Sequence, residues 1–361
     1  MKNKKKSKST PIVNYVNNIT RDIHSFYIND TCLLFFDIFY KNNKLYLIMP
    51  IYNEPYTINN FLVIYNNKNL IPSEKCIKDS YEPISIFIYD INNDIGNDIG
   101  NDNFTQKDNS ITIDILCNKI KKTYKLNHID TTNTAKHFLT LTTLFKDDYH
   151  LFPFFYNYYT KQGVSHFYLY YNGMITPEIY KLFNQPRYKN VTLIEWNFHY
   201  WNPREFKYCH HAQMGQMHHA IYRYGKDISE YMIFCDFDEY LHIPSEHLPY
   251  QLLTNYIKEN PSIDIFGFCN IWADTSQYQY PNTQIIPKKI LAVNEQNPYC
   301  ERSKNIYKIS SMKTIGIHHM CNNDYFSKLK SIIDLKMYHF YKWSSKTRVI
   351  ENCKIVKDFE F

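Results

Sequence analysis

The segment Tyr231–Pro244, YMIFCDFDEYLHIP, restricts the fold more than any other stretch of the chain. A five-residue apolar run ends in three carboxylates, Asp236, Asp238 and Glu239, after which apolar residues resume. Both faces of Tyr231–Cys235 are apolar, the pattern of a parallel strand covered on both sides. Open α/β sheets bind their ligands beyond the carboxyl ends of such strands. In an extended segment Asp236 and Asp238 point the same way, because side-chain direction repeats every second residue. Convergent carboxylates repel unless a cation lies between them, and hard oxygen ligands suit magnesium, manganese or calcium. The bland alternative is a set of turn or helix-capping acids. Their place at a buried strand end favours chemistry on a phosphate-bearing substrate.

The surrounding pattern supports that placement. HFLTLTTLF from His137 reads as a strand, and Asp147 and Asp148 then stand where a helix cap and first-turn acid belong. Leu151, Phe154, Phe155, Tyr158 and Tyr159 follow at helical spacing up to Gly163. VSHFYLYYN predicts a second strand, Thr176-Pro177-Glu178 a second helix start, and VTLIEW a third strand. A longer helix is expected over about 205–224, with Phe206, His210, Gln213, Met217, Ala220, Ile221 and Tyr224 on one apolar stripe. Repeated β-α-β units imply a mainly parallel sheet flanked by helices, with the acids ending its fourth strand. A helix near 245–259 and a strand DIFGFCNIW come next.

Ahead of this, short β-like runs from Thr31 to Tyr89, with ITIDILC at 111–117 closing them, predict a small antiparallel β domain. The expected organisation is a basic arm at 1–11, a β-rich domain at 12–133 with a low-complexity loop at 91–104, and an α/β domain at 134–361. Asn53-Glu54-Pro55 reads as a loop. The 361 residues include only 8 glycines, and neither a GxGxxG nor a P-loop pattern occurs. Five of the lysines behind the net charge of +6 lie within the first ten residues, so the body is near neutral and no nucleic-acid partner is expected. Nine cysteines without a CxxC pair suggest mostly reduced thiols and a reducing compartment, cytoplasmic or virus-associated. No transmembrane segment or secretory signal is expected. The abundance of asparagine reads as a codon effect of an AT-rich genome.

Chemistry ranks the candidates. Asp238, just beyond the strand, suits direct metal ligation, and Asp236 suits a ribose or a water-mediated contact. His318 in KTIGIHHM and His339 in MYHFYKW could complete a metal shell, although a single histidine on an apolar stretch is more often a packed core residue. His210, His211, His218 and His219 lack a cysteine or acid at zinc spacing and read as packing and surface residues. Arg302, Lys304 and Lys313 could hold phosphates, against an ordinary solvated face.

GVSHFYLYYN, the helix containing Gln216, YMIFCDFDEYLHIP, ERSKNIYK, GIHHM and MYHFYKW together resemble glycosyltransferase family 92, in the same order, over about residues 137–343. The resemblance implies a GT-A, Rossmann-like fold. It also implies transfer of a sugar from a nucleotide-sugar donor, with UDP-sugars favoured, to a hydroxyl on a glycan or protein-linked acceptor. Inversion and a divalent metal, manganese before magnesium, come with it. It assigns Asp236 and Asp238 to the metal and nucleotide-sugar acids and Glu239 to the adjoining position. Arg302 and Lys304 form a basic pair, and Gln216 and Asp148 belong to the donor side. His318 becomes the preferred third metal ligand, with His339 next. Asp274 is the candidate base that deprotonates the acceptor, and Glu301 the alternative. The chain departs from the family pattern at Asp147-Asp148, at Phe154-Phe155 and at Trp272-Ala273-Asp274-Thr275-Ser276, where the family has Asn-Glu, Glu-Trp and a glycine-rich segment. Two rival readings are a non-catalytic carbohydrate-binding module on a decayed transferase fold and a metal-dependent phosphohydrolase.

Overall fold

The computed structural model describes residues 18–51, 61–78, 82–91, 110–132, 134–203, 211–243, 251–274, 289–293, 302–318, 329–330, 335–340 and 355–360. The chain is mixed α/β, with two large sheets and few helices. The basic arm, most of the 91–104 loop and Asn53-Glu54-Pro55 lie outside the described residues. Among those described, no helix is long and apolar enough to cross a membrane.

The larger sheet starts with five parallel strands side by side. In spatial order they are Asn18–Thr20, Val191–Glu195, His166–Tyr171, His137–Phe145 and Ser229–Phe234. The last four were expected from their apolar runs. The helices Phe152–Lys161 and Pro177–Phe183 connect them and cover one face with a core that includes Phe152, Phe155, Tyr159 and Phe183. Thr176 caps the second helix, its hydroxyl accepting from the Ile179 N–H at 3.3 Å. Gly163 stops the first, because its φ of +95° suits glycine and a Cβ there would collide with the Thr254 side chain.

Beyond Ser229–Phe234 the sheet changes character. Lys304–Lys308 is antiparallel to it, Ile265–Asp274 is antiparallel to that strand, and Lys289–Val293 and Ile355–Glu360 continue the alternation. This half is therefore mixed, since Leu329–Lys330 and Lys336–Phe340 run parallel to Ile265–Asp274. Strand periodicity reports burial rather than partner, so the insertion of Lys304–Lys308 ahead of Ile265–Asp274 left no mark in the hydrophobic pattern.

The second sheet holds eight strands, in the order Lys68–Leu70, Phe61–Tyr65, Ser110–Cys117, Ile120–Ile129, Asp37–Lys41, Lys44–Pro50, Ile84–Asp90 and Glu74–Lys78. It is antiparallel except where Ile120–Ile129 runs parallel to Asp37–Lys41. Ser110–Cys117 lies inside this sheet rather than closing it. Its neighbour Ile120–Ile129 was not foreseen, because most of its residues are exposed and polar. Three of its hairpins turn on two residues of positive φ: Asn42-Asn43, Asn66-Asn67 and Asn118-Lys119. Asparagine tolerates that conformation, so an abundance first assigned to codons also serves turn geometry.

The helix His211–His219 lies between the sheets, contacting Lys44–Pro50, Ile84–Asp90 and His137–Phe145. All nine of its residues are buried, so the expected one-sided stripe does not hold. It runs into a π-helical segment, Ala220–Gly225. One apolar core spans this layer, joining Ile48 and Ile86 of the second sheet, and Phe36 just before its Asp37–Lys41 strand, to Trp196, Met217 and Tyr307. Gly215 is needed here, because a Cβ would come within 2.7 Å of the Phe36 ring.

A buried charge cluster closes the junction. Asp37 accepts from His219 Nε2 at 2.9 Å, from Arg223 Nη1 at 2.8 Å and from the His24 N–H at 2.7 Å. His219 Nδ1 accepts in turn from the Tyr170 hydroxyl at 2.8 Å. Burial opposes ionisation of Asp37, yet the His219 hydrogen bond and the Arg223 charge outweigh it and lower its pKa. His218 is equally satisfied, by the Met214 carbonyl at 2.8 Å and the Ile315 N–H at 3.0 Å, and burial lowers its pKa to about 4. The histidine pair thus has the packing role expected, with no surface role; His210 lies outside the described residues. Cys32, Cys76, Cys117 and Cys235 are buried free thiols, in line with the mostly reduced set expected, and Cys269 is disulfide-bonded.

Candidate active site

The strand Ser229–Phe234 ends at a turn, not in the extended chain first expected. Glu239 N–H donates to the Asp236 carbonyl at 3.1 Å, and the Glu239 carboxylate accepts from the Asp236 N–H at 2.8 Å. This reciprocal closure sends the two aspartates to different partners. Phe237, between them, anchors the turn among the rings of Phe145, Phe152 and Phe155. From Glu239 the chain forms a short strand paired with Lys336–Phe340, in which Glu239 lies directly opposite His339. Phe340 N–H donates to the Asp238 carbonyl at 2.8 Å, fixing that register.

Two subsites result. On one side, Lys304 Nζ lies 3.1 Å from Asp236 Oδ2 and 3.1 Å from Glu239 Oε2. Burial opposes the charge on Lys304, but the two carboxylates outweigh it and raise its pKa. On the other, His339 Nε2 is 3.3 Å from Asp238 Oδ2, and His339 Nδ1 is 3.6 Å from Glu239 Oε1. Glu239 belongs to both and is 1 % exposed, and burial raises its pKa against the opposing pull of Lys304. Glu239 thus links the Lys304 pair to the His339 pair.

Among the described residues, Asp238, Glu239 and His339 form the group able to hold a metal ion, one ligand atom from each lying within 4.8 Å of the others. Two carboxylates and an imidazole suit a divalent first-row ion such as manganese, and the surplus negative charge fits a cation. Of the ligands foreseen, Asp238 and His339 stand in this group. Asp236 is turned toward Lys304 and Gln213, and Glu239 takes the third position. His318 stands outside the group, with its carbonyl accepting from Ser303 Oγ at 2.7 Å.

A cleft of about 650 Å³ opens beside the turn. Asp236 and Asp238 line it together with Asp147, Asp148, Asn172, Gln213 and the segment Asn197–Trp201. Asp148 therefore shares a cavity with the acids. Gln216 does not reach the cleft, because its amide is buried and donates to Thr142 Oγ1 at 2.7 Å. Gln213, three residues earlier, does, with Nε2 3.5 Å from Asp236 Oδ1 and Oε1 accepting from the Tyr200 hydroxyl at 3.1 Å. Reading Gln213 as part of an apolar stripe concealed it; the signal available was an amide one helical turn before Gln216.

Arg302 is exposed, holds a φ of +61°, and lies over the Trp272 ring at 5.5 Å. Trp272 packs against the His339 ring at 4.6 Å. Lys313 instead pairs with Glu74 at 3.0 Å, away from the acids. The backbone of Asp274 ends its strand opposite Leu291, and Glu301 lies outside the described residues.

No curated protein matches the chain. The model of one family, glycosyltransferase family 92, matches residues 139–359, which include four of the five parallel strands (His137–Phe145 from its third residue), the acid turn, Lys304 and His339. That is more than half of the 361 residues, and it carries with it a sugar donor and an acceptor in general. The acid turn with its Lys304 and His339 partners thus lies inside a glycosyltransferase domain, and the chain belongs to glycosyltransferase family 92.

Proposed function

We propose that the protein is a metal-dependent, GT-A-type glycosyltransferase. It moves a sugar from a nucleotide donor, a UDP-sugar with manganese, to a hydroxyl on a glycan or protein-linked acceptor, with inversion. The observation that carries this reading is the grouping of Asp238, Glu239 and His339, one ligand atom from each within 4.8 Å of the others, at a turn whose Asp236 and Asp238 line the cleft. Asp238, Glu239 and His339 would hold the metal, which when bound supplies positive charge for the leaving diphosphate.

The chain's own groups do the rest. Lys304, 3.1 Å from both Asp236 and Glu239, fixes the direction of the two carboxylates. Asp148 is placed for ribose hydroxyls along the same cleft. Arg302, held over Trp272, supplies a guanidinium for phosphate oxygens. Asp274, or Glu301, removes the proton from the acceptor hydroxyl as its oxygen bonds to the anomeric carbon. The bond to the diphosphate breaks on the opposite face.

The test is UDP-sugar turnover by the full chain with and without MnCl2. Manganese-dependent transfer or hydrolysis of the donor, lost in Asp238→Ala with the fold intact, is expected. Phosphate release from simple monoesters without sugar transfer would replace the reading with a phosphohydrolase. Glycan binding without donor binding would replace it with a carbohydrate-binding module.

A further inference from the structure

The cleft extends well past the acid turn, and its far end is aromatic. From Asp236 and Asp238 it passes Leu144–Asp148 and Asn172 to Asn197–Trp201 and ends on Tyr27, which lies in the Phe26–Asn29 strand near the N-terminus. Tyr27 stacks on Phe198 with centroids 6.5 Å apart and an interplanar angle of 22°. Trp201 meets Tyr200 edge-on at 5.0 Å. Tyr27 and Trp201 are nonetheless 39 % and 48 % exposed, among the most open large side chains of the protein.

We propose that Tyr27 and Trp201, backed by Phe198 and Tyr200, form the wall that takes the nucleobase of the donor. The inference rests on the nucleotide-donor reading above and assigns a donor contact to a residue outside the region matched by the family. Three spacings carry it. The strands ending at the acid turn, at Leu144–Asp148, at Asn172 and at Asn197 are consecutive neighbours in the sheet. At about 4.8 Å per strand, the wall lies roughly 14 Å across the sheet from the acids. That span places a diphosphate at the acids, a ribose over Asp147 and Asp148, and a base at the aromatic end. Bases stack on exposed aromatic faces whatever their edge pattern.

The wall is also built to stay in place. Asn172 Nδ2 donates to the Trp196 carbonyl at 2.9 Å and to the Phe198 carbonyl at 2.8 Å, fixing the segment beneath it. Through the Tyr200 hydroxyl and Gln213 it connects by hydrogen bonds to Asp236.

The experiment titrates the full chain with UDP in the presence of MnCl2, and with MnCl2 alone. Tyr27→Ala and Trp201→Ala should each weaken UDP binding about tenfold, within the range of one lost stacking contact. Manganese binding should be unchanged, and Tyr27→Phe should retain wild-type affinity. Wild-type UDP affinity in both alanine variants, with Asp238→Ala still abolishing manganese-dependent binding, overturns this wall alone. A raised acceptor KM with UDP affinity intact overturns it too, in favour of an acceptor-binding surface. If the wild-type chain itself binds no UDP, the donor reading falls and the wall with it.

Discussion

Two buried acid centres lie on either side of one helix, and they are finished to different degrees. At the junction of the sheets, Asp37 has a full complement of partners in Arg223, His219 and a backbone N–H. At the acid turn, among the described residues, Lys304 pairs with Asp236 and Glu239, and His339 lies beside Asp238 and Glu239. Burying a charge is tolerable only when it is paired and hydrogen-bonded. The first centre meets that condition from within the chain and is structural. The second gathers Asp238, Glu239 and His339 beside a cleft that Asp236 and Asp238 line, the arrangement expected of a site completed by what it binds.

The largest expected effect separates the two directly. Asp37→Ala leaves the Arg223 guanidinium buried without its carboxylate, and should cost about 3–5 kcal/mol in denaturant unfolding whether or not manganese is present. Next, Lys304→Met should destabilise the metal-free protein by a comparable ~3 kcal/mol, but with much of the loss recovered on adding MnCl2. An equal, metal-independent loss in both variants would erase the distinction between the centres. Wild-type protein at a hundredfold excess of manganese over Kd should gain about 2.7 kcal/mol over the chelated form, read as a rise in Tm. Gly215→Ala should cost about 1–3 kcal/mol, because the added methyl group presses on Phe36 in a packed layer. Since that helix carries both Gln213 and His219, transfer activity should fall along with stability.

The subtlest contrast is in pH. Asp37 has a lowered folded pKa, so its contribution is present above its ordinary value of 3.8 and is lost as pH falls through the folded value. Glu239 has a raised one, so its contribution is present below 4.5 and is lost as pH rises through the folded value. In metal-free protein, the penalty of Asp37→Asn should therefore shrink toward acid and that of Glu239→Gln should shrink toward neutrality. Urea midpoints measured across that range would show it, and parallel slopes would contradict the opposite pKa shifts of the two acids.

What was legible in the sequence follows from what periodicity encodes. His137–Phe145, Val191–Glu195 and the central strand were readable because each is apolar on both faces, and Thr176 and Gly163 marked helix ends by their chemistry. The strand Ile120–Ile129 was not readable, because its partners supply the burial that its own polar residues do not. Asp238 was evident at the strand end. Glu239 as the third member of the metal-holding group was not, because the turn that aims it depends on a hydrogen bond to the Asp236 N–H. Gln213 and Asp37 carry no local motif. Their partners lie 23 and 182 residues away, and only the packed helix brings them together.

The strand Asn18–Thr20 adds a matter of timing. It pairs with Val191–Glu195 at the edge of the larger sheet, so this segment leaves the ribosome roughly 170 residues ahead of the strand it belongs beside. At 5–20 residues per second that is a wait of about 10–30 s, during which the intervening sheet can form and its own sheet cannot. A nascent chain interrupted in this window presents an unpaired strand and an unclosed core, the state in which a holding chaperone has most to do.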